Sequence, residues 1–348
     1  MARTVKVTTT TDVFAAIPHM LGFVPHSSLV LIFIGNDPRR PNRTELIARS
    51  SLDNLDRDPE ALAHSLTRRA MDRPIHAAIG LIVCPASSDT DQILPYQTEL
   101  LALTHAIQQL GIRVSELGHV PGFTEGAPWR SYLDAGRTGV LPDPFATAVA
   151  ATAVSEGLVT ARSRDELAAA FTPAPLADRA RLEPQILSAL GKAQADRGQP
   201  DAARERLARA DSAITAAAKG SLPLGDKEIA DLIATFSTEP FRSATFSVEP
   251  TSLLRAVAAL ATYLWRFAPE PCASHLAAVA GLHAYMVDGG PTARFAADAG
   301  TARLPLLALL RHILDAQLPP HELRTVTGDG AAEARAHLTA PATPPSTP

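Results

Sequence analysis

Two continuous apolar runs, Leu29–Ile34 and Ala77–Cys84, constrain the fold more than any other feature of this chain. A run with no polar alternation buries both faces of a strand, so each segment belongs inside a helix-covered sheet rather than at a wet edge. Thr44–Ser50 returns after the turn forced by Pro38 and Pro41 and completes a hairpin, and Ile112–Leu117 reads as a further strand. Asp58-Pro59 opens an intervening helix that runs to about Met71. A second helix, bearing Ile93, Leu100, Leu101, Leu103, Ile107 and Leu110, draws its cap from Ser87–Asp91 and stops at Gly111. Strand alternating with helix, joined to a hairpin, predicts a mixed-sheet α/β domain over residues 1–160.

Ahead of the hairpin, Val5–Thr9 alternates as a short strand, and Thr11 or Asp12 is the expected cap of the next helix. Pro18 should kink that helix, and Gly22 should end it in the left-handed conformation with Phe23 folded back on its apolar face. From Phe145 the strand signal fades, and Ser163–Glu166 reads as a capping box. Pro173–Pro175 reads as a linker. Helical periods then cover 184–197, 202–219, 226–236, 251–267, 272–287, 291–299 and 303–317, so an array of antiparallel helices is expected over 161–322. Ser274–Ala297 has the form of a helical hairpin turning at Asp288-Gly289-Gly290, without a full repeat signature. Apolar periodicity is lost after Pro320, and residues 323–348 are expected to be disordered.

Composition narrows the function classes. The net charge of −4 offers no broad attraction to nucleic acid or an anionic membrane, and no apolar span is long enough to cross a bilayer. Cys84 and Cys272 lie far apart without a CxxC partner, which argues against a disulfide framework or thiolate metal site. The opening residues carry no secretion signal, so a cytoplasmic protein is expected.

The segment Ile17-Pro18-His19-Met20-Leu21-Gly22-Phe23-Val24-Pro25-His26-Ser27-Ser28 and the strand behind it resemble the opening signature of the domain-of-unknown-function family 4192, common in high-GC Gram-positive bacteria. Trp129-Arg130-Ser131-Tyr132 and the late Gly289-Gly290 hairpin ending at Pro320 are similar to the same family. The resemblance implies no substrate. Family members carry cysteines shortly after the Trp-x-Ser segment, whereas this chain has Gly139–Asp143 there, so the resemblance implies no thiol or metal role for that loop.

Phosphate-loop, dinucleotide-binding, nucleophile-elbow and zincin motifs are all missing from the sequence, and no cofactor is expected. The most suggestive segment is the Phe123–Arg137 loop, where Trp129, Arg130, Ser131 and Tyr132 follow a strand: an indole beside a guanidinium can hold a planar or anionic ligand. The plainer account anchors Trp129 in the core and lets Ser131 cap a turn. Ser87 and Asp89 follow the strand ending at Cys84, at the carboxyl edge where α/β sheets bind ligands, and are equally suited to helix capping. His19 and His26 flank Gly22 without metal-ligand geometry, Arg39, Arg40 and Arg43 share a solvated loop, and Arg204, Arg206 and Arg209 read as the outer face of a helix. The leading expectation is a non-catalytic interaction or regulatory protein with an unidentified protein partner; the rival is a small-molecule enzyme or ligand sensor using the carboxyl edge and the Trp129–Tyr132 loop.

Overall fold

The computed structural model describes residues 7–37, 40–68, 70–71, 73–85, 94–155, 159–223, 225–247, 251–287, 290–316, 318 and 320–340. The chain divides into two compact units, Met1–Arg164 and Asp165–Pro348.

The first unit begins with α1 (Thr10–Leu21), whose N-terminus is closed by Thr9: its hydroxyl accepts from the Asp12 N–H at 3.1 Å and donates to the Asp12 carboxylate at 2.7 Å. Residues 7–9 therefore lead into a cap rather than the strand expected at Val5–Thr9, of which 5 and 6 lie outside the described residues. Pro18 is accommodated within the helix, and Gly22 ends it at φ 78, with Phe23 buried behind it. A six-stranded sheet follows in the order β2-β1-β3-β4-β5-β6. β1 (Ser28–Asp37) pairs antiparallel with both β2 (Arg40–Ser51) and β3 (Ile75–Val83), so the first apolar run occupies an interior strand. β3 is parallel to β4 (Arg113–Val120), while β5 (Pro128–Ser131) and β6 (Thr138–Val140) extend the sheet antiparallel.

The unbroken hydrophobicity of β1 has its reason in this layering. Leu29, Leu31 and Phe33 pack with the residues of α2 (Leu52–Arg57), α3 (Pro59–Thr67) and α4 (Gln97–Gln109), while Val30 and Ile32 are equally buried on the other face. On that second face α1 is let in close by Gly118 of β4, where a Cβ would stand 2.6 Å from the Phe14 ring. Asp58 caps α3 through the Ala61 N–H at 2.8 Å, ahead of Pro59. α4 starts later than expected, with Tyr96 at its N-cap and no side-chain cap bond from that residue; Ser87–Asp91, expected to supply the cap, and Ile93 lie outside the described residues. The unit closes with the short α5 (Ala148–Ser155).

The second unit is helical, as its periodicity predicts. α6 (Arg164–Ala169) leads to α7 (Leu176–Asp196), α8 (Pro200–Ala218), α9 (Asp226–Ser237), the four-residue α10 (Phe241–Ala244), α11 (Thr251–Trp265), α12 (Cys272–Met286), α13 (Gly290–Ala299) and α14 (Pro305–Ala316). α9, α11, α13 and α14 pack against α12, which is buried from Cys272 through Met286 except at His275 and Tyr285. Pro173–Pro175, expected as a linker, is tied into this unit, since Ala174 donates its N–H to the Arg266 carbonyl at 2.8 Å. The expected disorder from 323 onward is corrected over most of its length: Pro320–Thr339 forms α15. Its apolar residues are too widely spaced to show a period, and tertiary contacts hold it instead. Leu338 joins Phe241, Ala203, Leu207 and Ala244 in a small core, and Arg335 makes two 2.8 Å bonds to Asp211. Residues 341–348, expected to be disordered as well, lie outside the described set.

Candidate functional site at the carboxyl end of the parallel strands

The segment expected as a ligand-holding loop is a strand and its exit. Alternation along β5 sends Trp129 and Ser131 to one face of the sheet and Arg130 and Tyr132 to the other, so the four are not brought together. Trp129 is buried against α1: its Nε1 donates to Thr11 Oγ1 at 2.9 Å and its ring meets Phe14 edge-on at 5.3 Å. Gly139 of β6 makes room, because a Cβ there would stand 2.4 Å from Trp129 Nε1. Ser131 donates to buried Glu116 at 2.6 Å and accepts from the N–H groups of Leu133 and Asp134, while Glu116 also pairs with Arg137 at 2.9 Å. The turn from β5 to β6 is thereby held from within.

The opposite face carries a different group. At the end of β3, Cys84 is buried, and its carbonyl accepts from His119 Nε2 of β4 at 3.0 Å; this contact places the ring proton on Nε2. Arg130 pairs with His119 across the β4–β5 ladder. Tyr132 packs into the same core and donates its hydroxyl to the Pro95 carbonyl at 2.6 Å, beside Tyr96. Burial pushes the Cys84 thiol and the Tyr96 and Tyr132 phenols above their ordinary pKa values and pulls His119 below its own. Each of the four therefore stays uncharged near neutral pH. Ser87 and Asp89, the other expected members of this edge, lie outside the described residues.

The remaining candidates resolve into structural roles. His19 bonds Thr160 through Nδ1 at 2.7 Å and the Pro144 carbonyl through Nε2 at 2.9 Å, pinning the chain on either side of α5. His26 is exposed, and Arg43 likewise. Arg206 overturns its expected place on an outer face: it is fully buried, paired with Asp196 at 2.8 Å and Asp231 at 2.9 Å, and donates to Thr235 at 2.9 Å. Its position three after Ala203 and four before Ala210, both inward-facing, is the signal that could have placed it. Among the described residues no group of three or more His, Cys, Asp or Glu is arranged to hold a metal ion. An open depression of about 440 Å³ on the helical unit, lined by Asp211, Ser212, Thr215, Ala216, Lys219 and Ser221, shares no residue with the sheet edge.

The fold and this edge define a class: a mixed-sheet α/β unit joined to a closed helical unit, with the parallel strands ending in a tightly hydrogen-bonded, uncharged cluster. The chain belongs to the domain of unknown function family DUF4192, whose model matches residues 11–321, nearly its whole length. No curated protein and no solved structure matches it.

Proposed function

We propose that this chain is a non-catalytic interaction or regulatory protein of the bacterial cytoplasm that engages a protein partner through α5. The observation that carries the reading is an uncovered apolar surface. α5 reads Ala-Val-Ala-Ala-Thr-Ala-Val-Ser, yet only Ala150 and Ala153 are buried; Val154 is 73% exposed. Phe145 and Val159, 52% and 87% exposed, flank α5 along the chain, and His19 meets the Phe145 ring at 5.5 Å and bonds Thr160, next to Val159. Apolar clusters of this kind on a folded surface mark sites of association. The raised pKa of the Cys84 thiol supports a non-catalytic reading, because a cysteine nucleophile needs its pKa lowered toward the thiolate. Two buried free thiols agree with a reducing cytoplasm. Among the described residues no helix is long and apolar enough to cross a membrane.

The test is capture from a native lysate with wild-type protein and with Ala151→Glu/Val154→Lys, both changes lying on the exposed face of α5. A stoichiometric partner retained by the first and lost by the second supports the reading; equal recovery by both removes α5 from it. The rival, a small-molecule enzyme or sensor built on Trp129–Tyr132, predicts that nucleotides, phosphosugars or amino acids raise the melting temperature and that Trp129→Ala abolishes the rise.

A further inference from the structure

α15 is fastened at two places, and the chain between them is built to give way. On the near side Leu323 belongs to the main core of the helical unit, and the Thr327 hydroxyl reaches Met286 Sδ of α12 at 3.8 Å. On the far side Leu338 fills a separate socket of Ala203 and Leu207 from α8 and Phe241 and Ala244 from α10. Arg335, three residues earlier on the same face, closes the rim: Nη1 and Nη2 donate to the two carboxylate oxygens of Asp211, and Nε to Ser247 Oγ, all at 2.8 Å. Between the two anchors lies Gly328-Asp329-Gly330. A Cβ at either glycine would meet nothing within 4 Å, and neither has a positive φ, so packing and backbone geometry leave both positions open to alanine. What two glycines supply inside a helix is a place that unwinds easily, because each loses more backbone freedom there than alanine does. The family match stops at residue 321, so it takes in the socket and leaves out the helix that fills it. Release of residues 331–339 alone would bare the fully buried Phe241 and strip Asp211 of its bidentate partner. Opening is therefore unfavourable until another helix takes the same place. The present occupant defines what fits: a leucine for the socket and, one turn before it, an arginine whose fork meets Asp211.

We propose that residues 331–339 are a latch, hinged at Gly328–Gly330, over a helix-binding socket, and that an amphipathic helix of a partner protein bearing Arg-x-x-Leu displaces it. The apolar socket selects the leucine, and the Asp211 carboxylate selects the cation. The site goes beyond the α5 reading: it shares no residue with α5, and its failure leaves that reading untouched.

Two measurements on the full chain test it. In hydrogen exchange, the amides of 331–339 should exchange as one group, about tenfold or more faster than those of 323–327, and Gly328→Ala/Gly330→Ala should slow that group by about tenfold or more. This pair of substitutions keeps every contact of α15, so it reads the hinge even where a change in the latch itself unfolds the helical unit. For the socket, the probe is a labelled peptide of residues 320–340 with both glycines replaced by alanine, followed by fluorescence anisotropy. The Leu338→Asp chain, its socket vacated, should bind the peptide about tenfold or more tighter than wild type, and the Gly328→Ala/Gly330→Ala chain should bind it more weakly than wild type. Arg335→Glu in the peptide, which sets a second carboxylate against Asp211, should abolish binding. Equal exchange on both sides of the glycines, exchange indifferent to the alanine pair, or one peptide affinity across all three chains overturns the proposal. A purified wild-type chain that dimerises, and that Leu338→Asp returns to a monomer, overturns the assignment to a partner protein and gives the socket to a second copy.

Discussion

His283 is a side chain whose protonation bears directly on stability. It is fully buried in α12, with Nδ1 2.8 Å from the Val279 carbonyl, Nε2 3.1 Å from the Thr245 carbonyl and the Phe246 ring stacked at 4.3 Å. A neutral imidazole has one N–H and can donate to only one of the two carbonyls, yet burial still pulls its pKa down to about 4. Between about pH 6.5 and 4 the unfolded chain holds a proton that the folded chain lacks, so stability is full above that window and falls by about 3 kcal/mol across it. Urea melts at pH 7 and 4, followed through Trp265 in a Trp129→Phe background, should show this loss, and His283→Gln should reduce it, the remainder belonging to groups such as His275, whose pKa is also pulled down to about 4; an identical pH dependence in both would contradict the assignment. In the sheet unit, Gly139→Ala drives a methyl into Trp129 and should cost about 1–3 kcal/mol, read by Trp129 fluorescence. Residue roles were legible where chemistry and position agreed, as for Asp58 before Pro59 and Gly22 after α1. They were hidden where distant partners decide them: Arg206 is buried because Asp196 and Asp231 come from two other helices.

Elements with a strong period were readable, and elements held by a few long-range contacts were not. The apolar run of β1 identified an interior strand because both of its faces are covered, whereas β5 and β6, four and three residues long, carry too little alternation to separate them from a loop. α15 was missed for a related reason. Gly328 and Gly330 lower its propensity, and its hold on the unit passes through Leu338 and Arg335. Leu338→Ala should therefore destabilise the helical unit by about 2–5 kcal/mol in circular dichroism melts, with loss of packing among Phe241, Ala203 and Leu207. Val154→Lys, on the exposed face of α5, should change stability by no more than about 0.5 kcal/mol. That contrast separates an element kept for packing from one whose outer face is left for something else.

At the scale of the whole molecule, a sheet in the N-terminal half and helices in the C-terminal half were legible from the change in period, but the site was not. The strand ends are brought together from segments far apart in sequence, and the exposed face of α5, though local, is too short to announce itself as a motif. The central claim is that this DUF4192 protein acts through association at α5. Light-scattering mass of the protein isolated gently from its own cells tests this most directly. Wild type should elute as a complex heavier than its 36.8 kDa chain, and Ala151→Glu/Val154→Lys should return to that mass with its melting temperature unchanged; a wild-type protein found only at the mass of one chain, or a complex indifferent to both substitutions, would contradict it.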